Sequence, residues 1–319
     1  MNLELLQNPL WMSYALPVLV LLAGLELLLL RRRARRQPEA GLNYDWRETA
    51  ASLAVALGQR LSGMLTALLI GPVYAAAWTL RLWEAPLDQV WTWALLFVGV
   101  EFIYYWQHRA GHEVRWFWAS HSVHHSVTHY NLSAAYRLGW TAGLSGQALF
   151  YLPLAVLGFH PAAIFAMLGL NLLYQFGLHT TLVPKLGVLE AVLNTPSHHR
   201  VHHASNLEYL DANYGGVLIV FDRWFGTWRP ERDDVVPVYG LVTPLRSHNP
   251  LVIALREWAW LLRDVRQAQG WRQRLHYLVK PPGWPGATTR DLRQQTAAPA
   301  QQATHSVATL SLTTTRSFS

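Results

Sequence analysis

The chain has 319 residues, of which 51% are hydrophobic and 14% are charged, and its formal net charge is +7 at neutral pH. It contains no cysteine, which excludes disulfide bonds, iron–sulfur clusters and zinc sites built from thiolates. Its apolar residues occur in long runs, as they do in membrane proteins. We therefore expect an integral membrane protein.

The first apolar run covers residues 11–30 and is followed at once by Arg31, Arg32, Arg33, Arg35 and Arg36. Basic clusters beside a membrane span stay in the cytoplasm, so we expect the N-terminus to face out. A cleaved signal peptide would carry positive charge before its apolar run, whereas the residues before this run include only Glu4 as a charged side chain. The run is therefore predicted to be a membrane anchor.

Further apolar runs follow at residues 61–82, 90–106, 138–157 and 162–178. Gly71 and Pro72 break the first of these, and the short separation of the last two predicts a tight hairpin in the bilayer. Threading the spans from an outside N-terminus puts residues 107–137 and the chain after residue 178 on the cytoplasmic face. We predict an all-α integral membrane protein with about four to five spans and a cytoplasmic helical cap.

The segments between and after these runs are more polar. Residues 37–60 are predicted to form a partly helical connector, and residues 251–262 an interfacial helix with tryptophans on an apolar body. Thr195 and Pro196 have the residue types of an N-cap and a first helical position, so a helix is predicted to start there. Because the basic residues flank apolar helices, we expect anionic lipid headgroups as their partners and no nucleic acid.

Histidines are concentrated in two short stretches. Ten of the fifteen lie in residues 108–129 and 198–203, where chance placement would put about 1.3. His108 and His112 are four residues apart and therefore share a helix face. The spacing H-x-x-H-H occurs at His121, His124 and His125 and again at His199, His202 and His203, so each triplet is predicted to offer three imidazoles to one pocket.

The imidazoles are too numerous for one zinc ion, which needs about four ligands. Two metal ions with four or five nitrogen ligands each would use all of these imidazoles. His179 is the ninth ligand, because the predicted topology returns it to the cytoplasmic face, where the other histidines lie. By ligand type, all-imidazole coordination suits iron, copper, zinc or nickel. A supporting role is predicted for His198, and the role of His129 stays open.

Several polar residues near these histidines allow two interpretations. Glu101, inside an apolar run, is either an acceptor for a ligand histidine or a carboxylate satisfied by a neighbouring helix. Asp222 either orients a ligand histidine or pairs with Arg223 or Arg229. Arg109 and Arg137 either meet lipid headgroups or support the site.

Three sequence stretches resemble the fatty acid hydroxylase and sterol desaturase superfamily. They are YYWQHRAGH, HSVHHS followed by YN, and NTPSHHRVHH followed by NYGG and DRWFGT, which together cover roughly residues 100–230. The resemblance implies a membrane non-haem di-iron oxidase that uses O2 to hydroxylate or desaturate a lipid, whether fatty acyl, sterol-like or ether lipid, with an external electron donor. It also implies the iron ligands, which are His108, His112, His121, His124, His125, His179, His199, His202 and His203.

The pair His112-Glu113 and the run TPSHHRVHH are similar to the alkylglycerol monooxygenase-like members of that superfamily. This similarity implies tetrahydrobiopterin as a further cofactor and Glu113 as its contact. One departure concerns Gln175, because fatty acid 2-hydroxylases of the superfamily have a further histidine at that position. One iron then has fewer nitrogens, or a water held by Gln175.

Four regions are expected along the chain: residues 1–94 with N-terminal membrane helices and the connector, 95–235 with the di-iron catalytic region, 236–286 with the interfacial segment, and 287–319 as a disordered tail. Four aromatic residues are available to line a lipid path or to pack between helices, namely Trp140, Tyr151, Tyr174 and Phe176. A membrane metal-binding or metal-transfer protein without oxidase activity is the alternative function. The excess of histidines and the lack of an H-E-x-x-H motif count against a zinc hydrolase.

Overall fold

A computed structural model describes residues 10–37 and 44–285, and side chains from residue 17 onward. The predicted tail at 287–319 lies outside these residues. The described chain is all helical, with two isolated β-bridges and no sheet, which confirms the predicted fold class. Its α-helices are α1 Leu10–Arg36, α2 Trp46–Thr79, α3 Val90–Glu113, α4 Arg115–His125, α5 Leu152–Leu157, α6 Pro161–Phe176, α7 Pro196–His203, α8 Val220–Trp224, α9 Pro250–Gln267 and α10 Trp271–Val279.

Helix α2 is longer than the sequence pattern predicts. It has 34 residues and begins at Trp46, after Asp45, whose side chain accepts a hydrogen bond from the Arg47 amide at 2.7 Å. The predicted connector at 37–60, expected to be partly helical, is thus helical from residue 46 onward and continuous with the apolar run that follows it. One of its polar residues contacts another segment, since the Thr49 hydroxyl lies 3.0 Å from the Ser133 hydroxyl.

By length and composition, α2 is the one helix in the described ranges that is long and apolar enough to cross a membrane. The predicted run 90–106 lies within α3, which does not meet that criterion. The predicted run 11–30 lies within α1, whose side chains are described only from residue 17 onward. The number of spans and the cytoplasmic position of the site remain predictions.

The predicted fourth span, residues 138–157, is wrong. Turns occupy its first half, a 3₁₀ segment Gln147–Tyr151 follows, and only the six residues of α5 are α-helical. Glycine explains the turns, because a Cβ at Gly139 would lie 2.2 Å from the Ser120 carbonyl oxygen and one at Gly143 would lie 2.3 Å from Thr66. The chain approaches α4 and α2 here more closely than a continuous helix with side chains would allow.

The apolar core joins α2, α3, α5 and α6 around fully buried side chains such as Leu96, Val100 and Ile164. Helix α3 ends at Glu113, and Val114 is extended, so α4 starts in a new direction and folds back beside α3. Helix α9 covers α4 from outside, with Trp258 Nε1 donating to the Thr141 hydroxyl at 2.8 Å. This packing holds the histidine-bearing helices α3 and α4 side by side.

We predict that Gly139→Ala destabilises the protein by about 1–3 kcal/mol, because the added methyl group must displace the backbone of Ser120. The measurement is thermal or denaturant unfolding in detergent. Gly63→Ala is the matched control: a Cβ at Gly63 meets no atom within 4 Å, so this substitution within α2 should be neutral or stabilising by up to about 1 kcal/mol. Equal stability of the two variants would contradict the close approach at Gly139.

Candidate metal centre

All nine histidines predicted as ligands lie together in the interior. They form two groups, in each of which one nitrogen per residue lies within 4.8 Å of the others. The five-histidine group consists of His108, His112, His121, His125 and His202, and the four-histidine group of His124, His179, His199 and His203. Eight of the nine are buried and His121 is partly buried.

The two H-x-x-H-H triplets are each divided between the groups, contrary to the prediction of one pocket per triplet. His121 and His125 join the five-histidine group, whereas His124 joins the other. In the second triplet the division is reversed, with His202 alone in the five-histidine group. Helix geometry explains the split, because side chains at i and i+4 lie about 40° apart around the axis, whereas those at i+3 and i+4 lie about 100° apart.

Backbone carbonyl groups fix the orientation of four rings. In each case Nδ1 donates to a carbonyl oxygen: His108 to Tyr214 at 2.8 Å, His124 to Arg137 at 3.1 Å, His179 to Gln175 at 2.8 Å, and His202 to Ala212 at 2.9 Å. A neutral imidazole that carries its proton on Nδ1 presents a lone pair at Nε2. The rings therefore direct Nε2 lone pairs into the two groups.

The Nε2 atoms of His124 and His179 face each other at 3.2 Å, and both are acceptors when Nδ1 carries the proton. Burial lowers the pKa of His124 to about 4 and that of His179 to about 3, so neither ring is protonated at neutral pH. Two facing lone pairs repel each other unless a cation lies between or beside them. The four-histidine group therefore fits a metal ion.

The five-histidine group also contains buried ring nitrogens that face each other or have no hydrogen-bond partner. His112 Nε2 and His202 Nε2 are buried and have no hydrogen-bond partner within the described residues, and His108 Nε2 lies 3.0 Å from His121 Nε2. Burial also lowers the pKa of His108, His125 and His202 well below its ordinary value. Neutral nitrogen donors in sets of five and four suit first-row transition metals rather than calcium or magnesium.

One loop supplies two of the orienting carbonyls. Asp211 and Asn213 adopt positive φ angles of 52° and 58°, which aspartate and asparagine tolerate better than most residues. The carbonyls of Ala212 and Tyr214, which follow these two positions, bind the rings of His202 and His108. The loop is thus shaped so that alternate carbonyls reach the five-histidine group.

Asp222 holds this loop in place. Its carboxylate accepts hydrogen bonds from the amides of Tyr214 and Gly215, both at 2.7 Å, and from the Thr227 hydroxyl. The predicted alternatives were orientation of a ligand histidine and pairing with Arg223 or Arg229. Asp222 forms no ion pair with either arginine, and it orients His108 through the backbone of Tyr214.

Glu101 does not bind a ligand histidine. It accepts from the amides of Val217 and Leu218, both at 2.8 Å, and from the side chain of Asn171. The interpretation of Glu101 as a carboxylate satisfied by its neighbours is therefore correct. It fixes the chain that follows the Tyr214 loop against α3.

Arg137 supports the site and does not reach solvent. Its side chain is 2% exposed and donates to the hydroxyls of Ser52 and Ser126 and to the Glu48 carbonyl, while its own carbonyl binds His124. The Glu48 carboxylate lies 3.6 Å from the guanidinium and 2.8 Å from His129 Nδ1. His129 therefore belongs to this ion-pair network and to neither histidine group.

The helix start predicted at Thr195 and Pro196 is correct, with Thr195 at the N-cap and Pro196 as the first residue of α7. His198 lies outside both groups, as predicted, and its Nε2 accepts from Trp228 Nε1 at 3.1 Å. Gln175 receives a hydrogen bond from Tyr104 at 2.9 Å and donates to Asn171 at 2.5 Å. Both ends of its amide are thus used within the protein.

A cavity of about 660 Å³ reaches both groups. Its wall includes His108 and His121 of the five-histidine group and His124 and His179 of the four-histidine group. Much of the remaining wall is aliphatic and comes from α1, α2, α6 and the segment after residue 135. A molecule in the cavity can therefore contact the surroundings of both candidate metal positions.

Two of the four predicted aromatic residues line this cavity, Tyr151 and Phe176. Trp140 and Tyr174 do not line it. The Trp140 indole donates to the Val55 carbonyl, and the Tyr174 hydroxyl donates to the Asn194 carbonyl. Glu113 also lies away from the cavity wall. Its side chain is 43% exposed and forms an ion pair with Arg109 at 3.0 Å.

Residues 93–227 match the model of the fatty acid hydroxylase family, and this region contains all nine histidines. The histidine groups lie in the part of the chain that is similar to this family. This match confirms the resemblance that was inferred from the histidine motifs. The closer similarity to alkylglycerol monooxygenase-like members is confirmed by the relatives that follow. Alkylglycerol monooxygenase of Danio rerio is 46% identical over 202 residues, which is 63% of this chain and 44% of that protein.

Alkylglycerol monooxygenase of Homo sapiens is 42% identical over 217 residues, 67% of this chain and 48% of the relative. Ornithine lipid hydroxylase OlsE of Rhizobium tropici is 33% identical over 144 residues, 43% of each chain. This chain thus spans less than half the length of each of these relatives. No solved structure matches this protein.

We predict that His202→Ala and His203→Ala each reduce the bound metal from about two ions to about one per chain, because these adjacent residues belong to different groups. The double variant should bind none. The measurement is elemental analysis of protein purified from membranes without chelators.

His248→Ala is the control, since His248 is exposed and lies outside both groups. It should leave the metal content unchanged. Unchanged metal in both ligand variants would contradict the assignment of ligands, and loss of both ions from either variant would contradict two independent sites.

Proposed function

We propose that this protein is a membrane-bound non-haem di-iron monooxygenase that inserts one oxygen atom of O2 into a C–H bond of a lipid, with an alkylglycerol as the substrate class. The observation that carries the proposal is the cavity, because its wall combines two histidines from each group with an aliphatic lining. An alkyl chain that enters the cavity presents its C–H bonds to both metal positions. The names of the similar relatives support an ether lipid over other lipids.

The proposed reaction consumes the lipid, O2, two electrons and two protons and yields the hydroxylated lipid and water. Iron bound by the two groups would supply the reduction of O2. The protein itself holds the ligand rings through their Nδ1 protons and keeps the alkyl chain in a mostly apolar cavity. Hydroxylation at the carbon next to an ether oxygen gives a hemiacetal, which breaks down to an aldehyde and an alcohol.

Electrons enter from an external donor in this proposal, and tetrahydrobiopterin is the donor that we propose. Glu113 follows the ligand His112 at the end of α3, is partly exposed, and does not line the cavity. A pterin that hydrogen-bonds the Glu113 carboxylate would therefore approach the five-histidine group from outside the lipid cavity. Lipid and donor would then occupy the protein together without competing for space.

The test of the function uses iron-loaded protein, 1-O-hexadecylglycerol, tetrahydrobiopterin and O2. We expect hexadecanal, measured after trapping as a hydrazone, in amounts that match the O2 consumed. Protein loaded with zinc, which has no redox chemistry, should produce none. If protein with two bound irons oxidises neither ether, acyl nor sterol lipids, the monooxygenase proposal is wrong and the metal-binding or metal-transfer alternative replaces it.

A second prediction concerns Glu113→Gln. Loss of the carboxylate charge should raise the KM for tetrahydrobiopterin by about tenfold or more, the effect of one charge-assisted hydrogen bond. The iron content and the KM for the lipid should stay unchanged, because Glu113 is neither in a histidine group nor on the cavity wall. A variant with an unchanged KM for the pterin would contradict this assignment.

A further inference from the structure

Arg60 lies on the apolar surface of α2, the helix that is long and apolar enough to cross a membrane. Its neighbours along that surface are exposed and apolar: Leu53, Leu57, Leu61 and Met64 have exposed fractions of 49%, 67%, 63% and 70%. No charged residue follows Arg60 until Arg81. Arg60 is thus a single cation at the start of the longest uncharged part of the helix.

The guanidinium of Arg60 forms neither a hydrogen bond nor an ion pair with any residue that the structure describes. An arginine in or beside hydrocarbon is costly unless an anion or another polar group neutralises it. Other arginines of the protein have such partners, for example Arg137 with Glu48 and Arg200 with Glu231. The counterion of Arg60 is therefore not among the residues that the structure describes.

Arg60 also lines the cavity that ends at the histidines, together with Gln59 and Ala56 from the same helix and Leu19 from α1. Arg60 is exposed, whereas His108, His124 and His179 are buried. The cavity therefore reaches from the surface at Arg60 to the two histidine groups, and Leu138, Leu172 and Leu173 are further exposed residues of its wall. The cation is at the surface end and the candidate metal positions are at the inner end.

We propose that Arg60 binds the anionic group, a phosphate or a carboxylate, of the lipid whose chain occupies this cavity. The proposal rests on the proposed function, in which the cavity takes the lipid substrate. Within the proposed substrate class, it adds a preference for ether lipids that carry an anionic headgroup, such as an alkylglycerol phosphate, over the uncharged alkylglycerol. Because the headgroup is held at Arg60, the oxidised position is set by its distance from the headgroup and not by its distance from the methyl end.

The test compares two lipids with the same chain, hexadecyl phosphate and hexadecanol. Their dissociation constants are measured with radiolabelled lipid and iron-loaded protein, under anaerobic conditions, in nanodiscs of zwitterionic phospholipid. The variants are Arg60→Gln, which removes the charge, and Arg60→Lys, which keeps it. Arg47→Gln is the matched control, because Arg47 is an exposed arginine of the same helix that does not line the cavity.

We expect the wild-type protein to bind hexadecyl phosphate at least about tenfold more tightly than hexadecanol, as one charge-assisted hydrogen bond would give. Arg60→Gln should lose this preference while its affinity for hexadecanol stays the same, which also shows that the variant is folded. Arg60→Lys and Arg47→Gln should keep the preference. Excess hexadecanol should displace bound hexadecyl phosphate, since the chains of both lipids occupy the same cavity.

Three results would overturn the proposal. They are equal affinity of the wild-type protein for both lipids, an unchanged preference of Arg60→Gln for hexadecyl phosphate, and bound hexadecyl phosphate that excess hexadecanol cannot displace. The last would mean that Arg60 binds headgroups of the surrounding bilayer. These results leave the proposed function intact. If the wild-type protein binds neither lipid, the lipid cavity of the proposed function is itself wrong, and the assignment of Arg60 is wrong with it.

Discussion

The hydrogen bond from a histidine Nδ1 to a backbone carbonyl is the interaction on which this site depends. It selects one tautomer, fixes the plane of the ring and leaves the Nε2 lone pair as the group that faces inward. Four rings are held in this way, two in each group. Burial keeps these four rings neutral, so they present electron pairs and no positive charge of their own. The fit of the two groups to metal ions thus depends on the backbone geometry of the segments that carry the carbonyls.

Those segments are irregular, and buried carboxylates keep them in shape. Loop amides cannot be left unpaired in the interior, and a helix or a sheet does not satisfy them here. Asp222 binds two consecutive amides at Tyr214 and Gly215, and Glu101 binds two more at Val217 and Leu218. Glu48 does the same for Thr128 and His129. Asp222 therefore acts one step away from the imidazoles, by fixing the backbone of Tyr214, whose carbonyl orients His108. Glu101 and Glu48 fix neighbouring parts of the chain.

The sequence was sufficient to predict which residues meet, but not how they divide. Eight histidines at helical spacings, and His179 from the predicted topology, indicated one site with two ions, and Thr195-Pro196 indicated the start of α7. The spacing of H-x-x-H-H places three rings on one face but does not say which neighbour each part of that face meets. Glu101 and Asp222 stood out in the sequence as acids near the histidines, but their partners did not, because each binds backbone amides that any sequence provides. The prediction of a span at 138–157 was wrong because it rested on the apolar residues alone. The glycines between them allow close contact with α2 and α4 in place of a continuous helix.

The division of each triplet between the groups makes α7 a common support of both sites. His202 and His203 are adjacent, about 100° apart around the helix axis, and serve different groups. A small rotation of this eight-residue helix would move both rings, one toward its group and one away, so the helix needs a fixed orientation. Arg200 provides it from the same helix: it forms a two-point ion pair with Glu231 at 2.8 and 2.6 Å and donates to the carbonyls of Thr180 and Val183. Because Thr180 follows the ligand His179, the same arginine also ties α7 to the segment that completes the four-histidine group.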